Sequence, residues 1–194
     1  MSLPLAEGSD AEVVALALMG RQDAYRELLA RYREPIYRFI RASTGDAQEA
    51  LDLTQDTFIA AFSALDRYDR SRPILTWLRR IALNKCRDWA RRRRLRTMLW
   101  RTKPIDAAHE VPDDAVAPDV QTADRAELAR VNAAIVRLPA RLRETLILRT
   151  IEGLGQAETA EALGISEKAV ETRLYRARSK LSELLANEGG RKKF

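Results

Sequence analysis

Leu163–Leu181 reads LGISEKAVETRLYRARSKL, and its reading decides the fold. Val170, Leu174, Ala177 and Leu181 recur every three or four residues, the spacing of a helix with one apolar side. Lys168, Glu171, Thr172, Tyr175, Arg176 and Ser179 fall on the other side. Ser166 stands where a helix N-cap is wanted. Upstream, Gln156–Leu163 predicts a short helix, and Gly164 can take the positive φ of a sharp turn at little steric cost. A short helix, a turn and a longer helix form a helix-turn-helix layout. Ala160, Leu163, Ile165, Val170 and Leu174 are the residues expected to pack the two helices together. Helical hairpins that only pack share this pattern, so the neighbouring sequence must decide what the outer face does.

That sequence is helical almost throughout. Ser9 and Glu12 form a capping box before Val13, Leu16 and Ala17, with Gly20 as a stop. Asp23 is expected to cap a second helix carrying Tyr25, Leu28, Tyr32, Ile36 and Phe39 on one face. Pro35 falls inside it and predicts a kink or break. After Gly45-Asp46, AQEALDLTQDTFIAAFSAL has an apolar stripe of Ala50, Thr54, Phe58, Ala61 and Leu65. A fourth helix, ILTWLRRIALNKCRDWARRRR, turns Ile74, Trp77, Leu78, Ile81, Ala82 and Trp89 inward. The composition then changes. TKPIDAAHEVPDDAVAPDVQ combines Pro104, Pro112 and Pro118 with Asp106, Glu110, Asp113, Asp114 and Asp119, a linker composition. Helical patterning resumes near Thr122 with Leu128, Val131, Ile135 and Leu138. Pro139 opens another helix bearing Leu142, Leu146, Ile147 and Ile151, closed by Gly153.

The expected fold is all-α: two small helical domains joined by a flexible linker, the C-terminal one a helix-turn-helix. The boundaries read as 1–98, a linker over 99–121, 122–187, and a disordered tail over 188–194.

The chain has 194 residues, a formal net charge of +6 and 46% hydrophobic residues, enough for a core. It has one cysteine, Cys86, and one histidine, His109. An internal disulfide is therefore impossible and a Cys/His metal site is not expected. No cofactor is expected either. No signal peptide is visible, and no apolar run approaches the roughly 18 residues of a membrane span, which reads as a reducing cytoplasm and no membrane insertion.

Three constellations carry the functional reading. In the helix-turn-helix, the second helix can present its N-terminal outward residues to a DNA major groove, whose donor and acceptor pattern differs for each base pair. Lys168, Glu171, Thr172 and Arg173 lie at that end, followed by Tyr175, Arg176 and Arg178. Glu171 can accept from a cytosine amine or pair with an arginine. In the fourth helix, Arg79, Arg80, Lys85, Arg87 and the run Arg91–Arg94 with Arg96 face only Asp88 as counter-charge, with Trp77 and Trp89 interleaved. Such a surface suits a phosphate backbone. The third is an acidic stripe of Asp46, Glu49, Asp52 and Asp56 beside Gln55 and Phe58. It is either a solvated face or a docking face for a basic protein. No histidine, glycine-rich loop or nucleophile pattern accompanies these carboxylates, so no enzyme and no small-molecule substrate are expected.

With these motifs in order, the chain resembles the extracytoplasmic-function (ECF) sigma factors of bacterial RNA polymerase over nearly its whole length. EALDLTQDTFIAAF resembles the family's polymerase-docking helix, which implies docking by Asp52, Gln55, Asp56 and Phe58 on core polymerase. WLRRIALNKCRDWAR resembles the helix that handles the −10 element, implying roles for Arg80, Asn84, Lys85, Asp88 and Arg91. LPARLRETLILRTIEGLGQAETAEALGISEKAVETRLYRAR resembles the domain that binds the −35 element, implying DNA contacts by Lys168, Glu171, Thr172, Arg173, Tyr175 and Arg176. The linker stands where larger sigma factors have a middle domain. Two positions depart from the family pattern: Gly155 replaces a frequent serine, and Glu171 a frequent basic residue.

The resemblance implies promoter recognition, help in nucleating the DNA bubble by holding a flipped base, and control by an anti-sigma protein. Two rivals carry different expectations. A sigma-like mimic that sequesters an anti-sigma protein would not need its arginines. A stand-alone helix-turn-helix repressor would leave the N-terminal half without a role.

Overall fold

The computed structural model describes residues 5–101 and 120–190, which fold into helices with no strand among them. The sequence expectation of an all-α chain with two domains holds. Segment 102–119, most of the expected linker, lies outside the described residues, as does 191–194.

The N-terminal half begins with a 3-10 turn and α1 (Asp10–Leu18). Ser9 caps α1 as expected. Its hydroxyl accepts from the Glu12 N–H, and its own N–H donates to the Glu12 carboxylate at 2.8 Å. Helix α2 (Gln22–Thr44) differs from expectation twice. Its cap is Arg21, and Asp23 lies in the first turn, where it pairs with the Arg21 guanidinium. Nor does Pro35 break it: the helix runs on for nine more residues, to Thr44. Proline inside a helix costs about 3 kcal/mol. Beyond it, Ile36, Phe39 and Ile40 are all 0% exposed, and each such burial returns about 1.5–3 kcal/mol.

Helix α3 (Ala47–Ser63) is capped by Asp46, which accepts from the Glu49 N–H at 3.0 Å. Its expected apolar stripe is the buried one: Ala50, Thr54, Phe58, Ala61 and Leu65 are all at or below 4% exposure. The Thr54 hydroxyl donates to the Ala50 carbonyl, so the polar group costs little in the core. After a 3-10 turn (Leu65–Arg67) comes α4 (Ile74–Arg101), which buries Ile74, Leu78, Ala82, Leu83, Cys86 and Trp89. It extends into the segment expected as linker.

The C-terminal half holds α5 (Val120–Arg137), α6 (Ala140–Leu146), a turn of π-helix (Ile147–Ile151), α7 (Gln156–Leu163) and α8 (Glu167–Gly190). Two expected core residues are outside: Leu128 and Ile151 are 62% and 45% exposed. The π turn accounts for Ile151. The N–H of Glu152 reaches back to the Ile147 carbonyl at 3.0 Å, a wider turn that rotates the helix face at its C-terminal end. Leu148, 1% exposed, fills the core instead. Helix α8 also outruns the expected end at 187, continuing to Gly190.

The two halves pack against one another. At Gly45, which ends α2 at φ +76°, an added Cβ would stand 2.6 Å from Val136 Cγ2 of α5. Only glycine fits both that backbone angle and that approach.

Candidate nucleic-acid and polymerase interface

Helix α8 is positioned by its turn. Gly164 is left-handed at φ +67°, as its place in the motif requires, and the Ser166 hydroxyl accepts from the Ala169 N–H at 3.2 Å. Gly155 offers α7 no side-chain cap, and Glu158 compensates by accepting the Gly155 N–H at 2.7 Å. The Gln156 amide donates to the Glu167 carbonyl, tying α7 to the start of α8. Val170 and Ala177 are buried at 1% and 0%.

With that side anchored, Lys168, Glu171, Thr172, Tyr175 and Arg176 are exposed and Arg173 is half-buried. Lys168, Thr172, Arg173 and Arg176 line an open groove of about 390 Å³. Among the described residues helix α8 makes one ion pair, Lys180 with Glu183 at 2.7 Å, further along. Lys168, Arg173 and Arg176 make none with a described residue, and neither does Glu171, so no described arginine restrains it. The Thr172 hydroxyl proton is spent on the Lys168 carbonyl, leaving its oxygen to accept. Tyr175, 76% exposed, carries its ring into solvent.

Helix α4 is built differently. Arg80, Asn84 and Arg91 are exposed, while Lys85 and Asp88 are half-buried, and Asp88 holds Arg91 at 2.9 Å. Arg93 lies over the Trp89 ring, 5.2 Å from its centre. The loop before α4 is shaped by Asp69, whose carboxyl is held below its usual pKa by hydrogen bonds from the Ser71 hydroxyl and N–H. Tyr68 and Trp77 stack at a tilt, 5.2 Å apart. Their rings, with Arg67, Arg72 and Arg80, line a cavity of about 350 Å³.

Two arginines of α4 are paired with carboxylates of the other half, where the sequence reading assumed free cations. Arg79 donates through Nε and Nη2 to Glu152, at 2.9 and 2.5 Å. Arg87 grips Glu144 through two parallel hydrogen bonds of 2.9 and 2.7 Å, and that carboxylate raises the guanidinium's pKa. Cys86 is buried near Ser43, Arg143 and Glu144, and that burial pushes its thiol up to about 12 and leaves it without thiolate character.

On α3, Asp52, Gln55 and Asp56 are exposed together. Phe58 is not with them: it is 4% exposed and packs on Phe62, so it supports the helix from inside. Asp46 is spent as the cap and Glu49 is half-buried. The same outer face carries Leu51 and Ile59, 43% and 57% exposed, which the sequence reading missed. The available signal was position: Ile59 follows Asp52, Gln55 and Asp56 at helical spacing and lies off the apolar stripe.

Known proteins share both halves of this arrangement. Residues 28–96 match the family model for sigma-70 region 2, and residues 128–181 that for sigma-70 region 4. The chain is 35% identical over 182 residues to the ECF RNA polymerase sigma factor SigD of Mycobacterium tuberculosis, covering 91% of this chain and 84% of SigD. It belongs to the ECF sigma factors. The chain therefore directs RNA polymerase to promoters. It is also 41% identical over 182 residues to the RNA polymerase sigma factor CnrH of Cupriavidus metallidurans, covering 92% and 95% of the two chains. The solved structure of CnrH in complex with the cytosolic domain of CnrY superposes with a TM-score of 0.67 at 37% identity, over 93% of this sigma factor and 99% of that chain. No described helix of this sigma factor is long and apolar enough to cross a membrane.

Proposed function

We propose that three separate faces divide the work of this sigma factor. Asp52, Gln55 and Asp56 on α3, with Leu51 and Ile59 beside them, dock on core polymerase. The carboxylates steer a basic partner and the two apolar side chains give the contact a dry centre. Arg80, Asn84, Lys85 and Arg91 on α4, with the cavity between Tyr68 and Trp77, hold the −10 element, and Asp88 orients Arg91. Lys168, Glu171, Thr172, Arg173, Tyr175 and Arg176 on α8 read the −35 duplex. Glu171, without an ion pair to a described residue, is available to accept from a cytosine amine. The division into an N-terminal half ending with α4, an acidic linker and a C-terminal half beginning with α5 follows these roles, the linker threading near the polymerase active-site channel. The protein acts in the cytoplasm by binding alone, with no covalent chemistry of its own. An anti-sigma protein restrains it, a reading supported by the complex of its relative CnrH with CnrY.

The observation that carries this reading is the cation face of α8, unpaired among the described residues, on the same chain as the exposed acidic face of α3. A mimic that only sequesters an anti-sigma protein has no use for the first, and a stand-alone repressor has no use for the second. The test is core binding and transcription in vitro with sigma-free core polymerase. Wild-type protein is expected to direct promoter-specific initiation. Asp52→Ala with Asp56→Ala is expected to weaken core binding while −35 duplex binding stays intact. Unchanged affinity for core overturns the docking face.

A further inference from the structure

We propose that Tyr68 and Asp69 are positioning residues for the −10 element: two side-chain closures hold the loop 68–73 in its binding shape before DNA arrives. The inference rests on the −10 role proposed for α4 and its cavity.

The loop has little packing to hold it. Residues 69–73 are all exposed, and only Tyr68, 9% exposed, is buried. Its order comes from hydrogen bonds instead. The Tyr68 hydroxyl donates to the Arg72 carbonyl, which closes the loop from one side to the other. Inside that closure, Asp69 Oδ1 accepts from the Ser71 N–H at 3.0 Å and from the Ser71 hydroxyl at 2.7 Å. The second carboxylate oxygen lies 3.3 Å from Arg72 Nε, and the Asp69 carbonyl accepts from the Arg72 N–H at 3.1 Å.

Both side chains suit the task. The Tyr68 ring does the packing, tilted on Trp77 at 5.2 Å, and its hydroxyl reaches past the core to the loop backbone. Burial raises the pKa of that hydroxyl, and Asp10 and Asp69 raise it further, so it keeps the proton it donates. The hydrogen bonds from Ser71 keep Asp69 ionised and accepting.

The loop is also a wall of the cavity. Arg67, Tyr68, Asp69 and Arg72 come from it and from the turn before it, while Trp77 and Arg80 come from α4. A base that enters must first be unstacked from its neighbours, at a cost. A loop that ordered itself at the same moment would add its own conformational entropy to that cost. A loop already closed leaves the contact energy free to hold the base. The two closures therefore act on affinity for −10 single strand, although neither need touch it.

The experiment uses the full chain with Tyr68→Phe, Asp69→Ala or Asp69→Asn, each assembled with sigma-free core polymerase. A promoter carrying 2-aminopurine in place of each non-template −10 base in turn reports base capture by its fluorescence. Tyr68→Phe keeps the ring and is expected to lower the equilibrium constant for capture about fivefold, the effect of one hydrogen bond. Asp69→Ala is expected to give a loss of similar size. Asp69→Asn keeps an acceptor for the Ser71 N–H and is expected to restore most of it, an outcome that a role for the charge alone would not give. Because both changes free the same loop, Tyr68→Phe with Asp69→Ala is expected to lose less than the product of the two. Unchanged affinity for core and for −35 duplex shows that both halves of each variant are folded. Unchanged capture in Tyr68→Phe and Asp69→Ala overturns the proposal, and so does Asp69→Asn behaving as Asp69→Ala. The −10 reading is judged separately, by whether Arg80→Ala with Asn84→Ala abolishes −10-dependent initiation by the holoenzyme.

Discussion

Helices α4 and α8 carry the same kind of signal, a dense run of cations along one side, and the fold treats them differently. On α8, Lys168, Arg173 and Arg176 stand without an ion pair to a described residue around an open groove. On α4, Arg79 and Arg87 are held by glutamates of the other half. The difference lies in what packs against each helix. Helix α8 anchors its apolar side within its own half and turns its basic side outward. Helix α4 lies between its own core and the C-terminal half, so part of its charge meets protein before it meets DNA. Charge density on a helix therefore states a capacity for phosphate, and tertiary contact sets how much of that capacity is free.

The strongest way to break this contrast is Arg79→Ala. It leaves Glu152, 6% exposed, without its counter-charge where the halves meet, a loss of about 3 kcal/mol when one member of a buried pair is removed. Glu152 escapes by undocking, so the measured loss stops at the free energy that holds the halves together. Energy transfer between dyes on Arg26→Cys and Ser182→Cys, one on each half, is expected to fall, with −35 duplex binding unchanged. A variant that stays packed would show that apolar packing, and not the ion pairs, sets the arrangement.

Arg176→Ala sharpens the contrast from the other side. An unpaired cation on a duplex-facing groove is expected to contribute to binding as a phosphate contact. Its removal should flatten the salt dependence of −35 duplex binding by about 0.9 in log–log slope, with energy transfer between the halves unaltered. A titration of duplex against potassium chloride checks it, and an unchanged slope would take Arg176 off the phosphate backbone. The smallest effect is reserved for Arg72→Ala. This pair is more than half exposed on both sides, and exposed pairs contribute about 0–1 kcal/mol. Thermal unfolding is expected to move little, and a large shift would mean that Arg72 and Glu161 form part of a coupled network.

Much of the local structure was legible. Ser9 and Glu12 announced the capping box, Gly164 the turn and Ser166 the start of the reading helix, because each acts through neighbours within a few residues. The failures have a common cause. Pro35 was read by its local cost, which the buried Ile36, Phe39 and Ile40 outweigh. Phe58 was read as part of a docking motif, yet it sits in the apolar stripe of α3 that the core consumes. Leu128 and Ile151 were assigned to the core by periodicity; no described element covers the first, and the second is turned outward by a π turn that no residue type signals.

The sequence by itself determined the helices, their order, the acidic and basic faces and the family they mark, since these follow from spacing along one chain. Only the tertiary structure decided which cations are available. The partners of Arg87, Arg79 and Arg72 lie 57, 73 and 89 residues away. A pairing across that separation follows from how two packed halves meet, and no periodicity within either half encodes it.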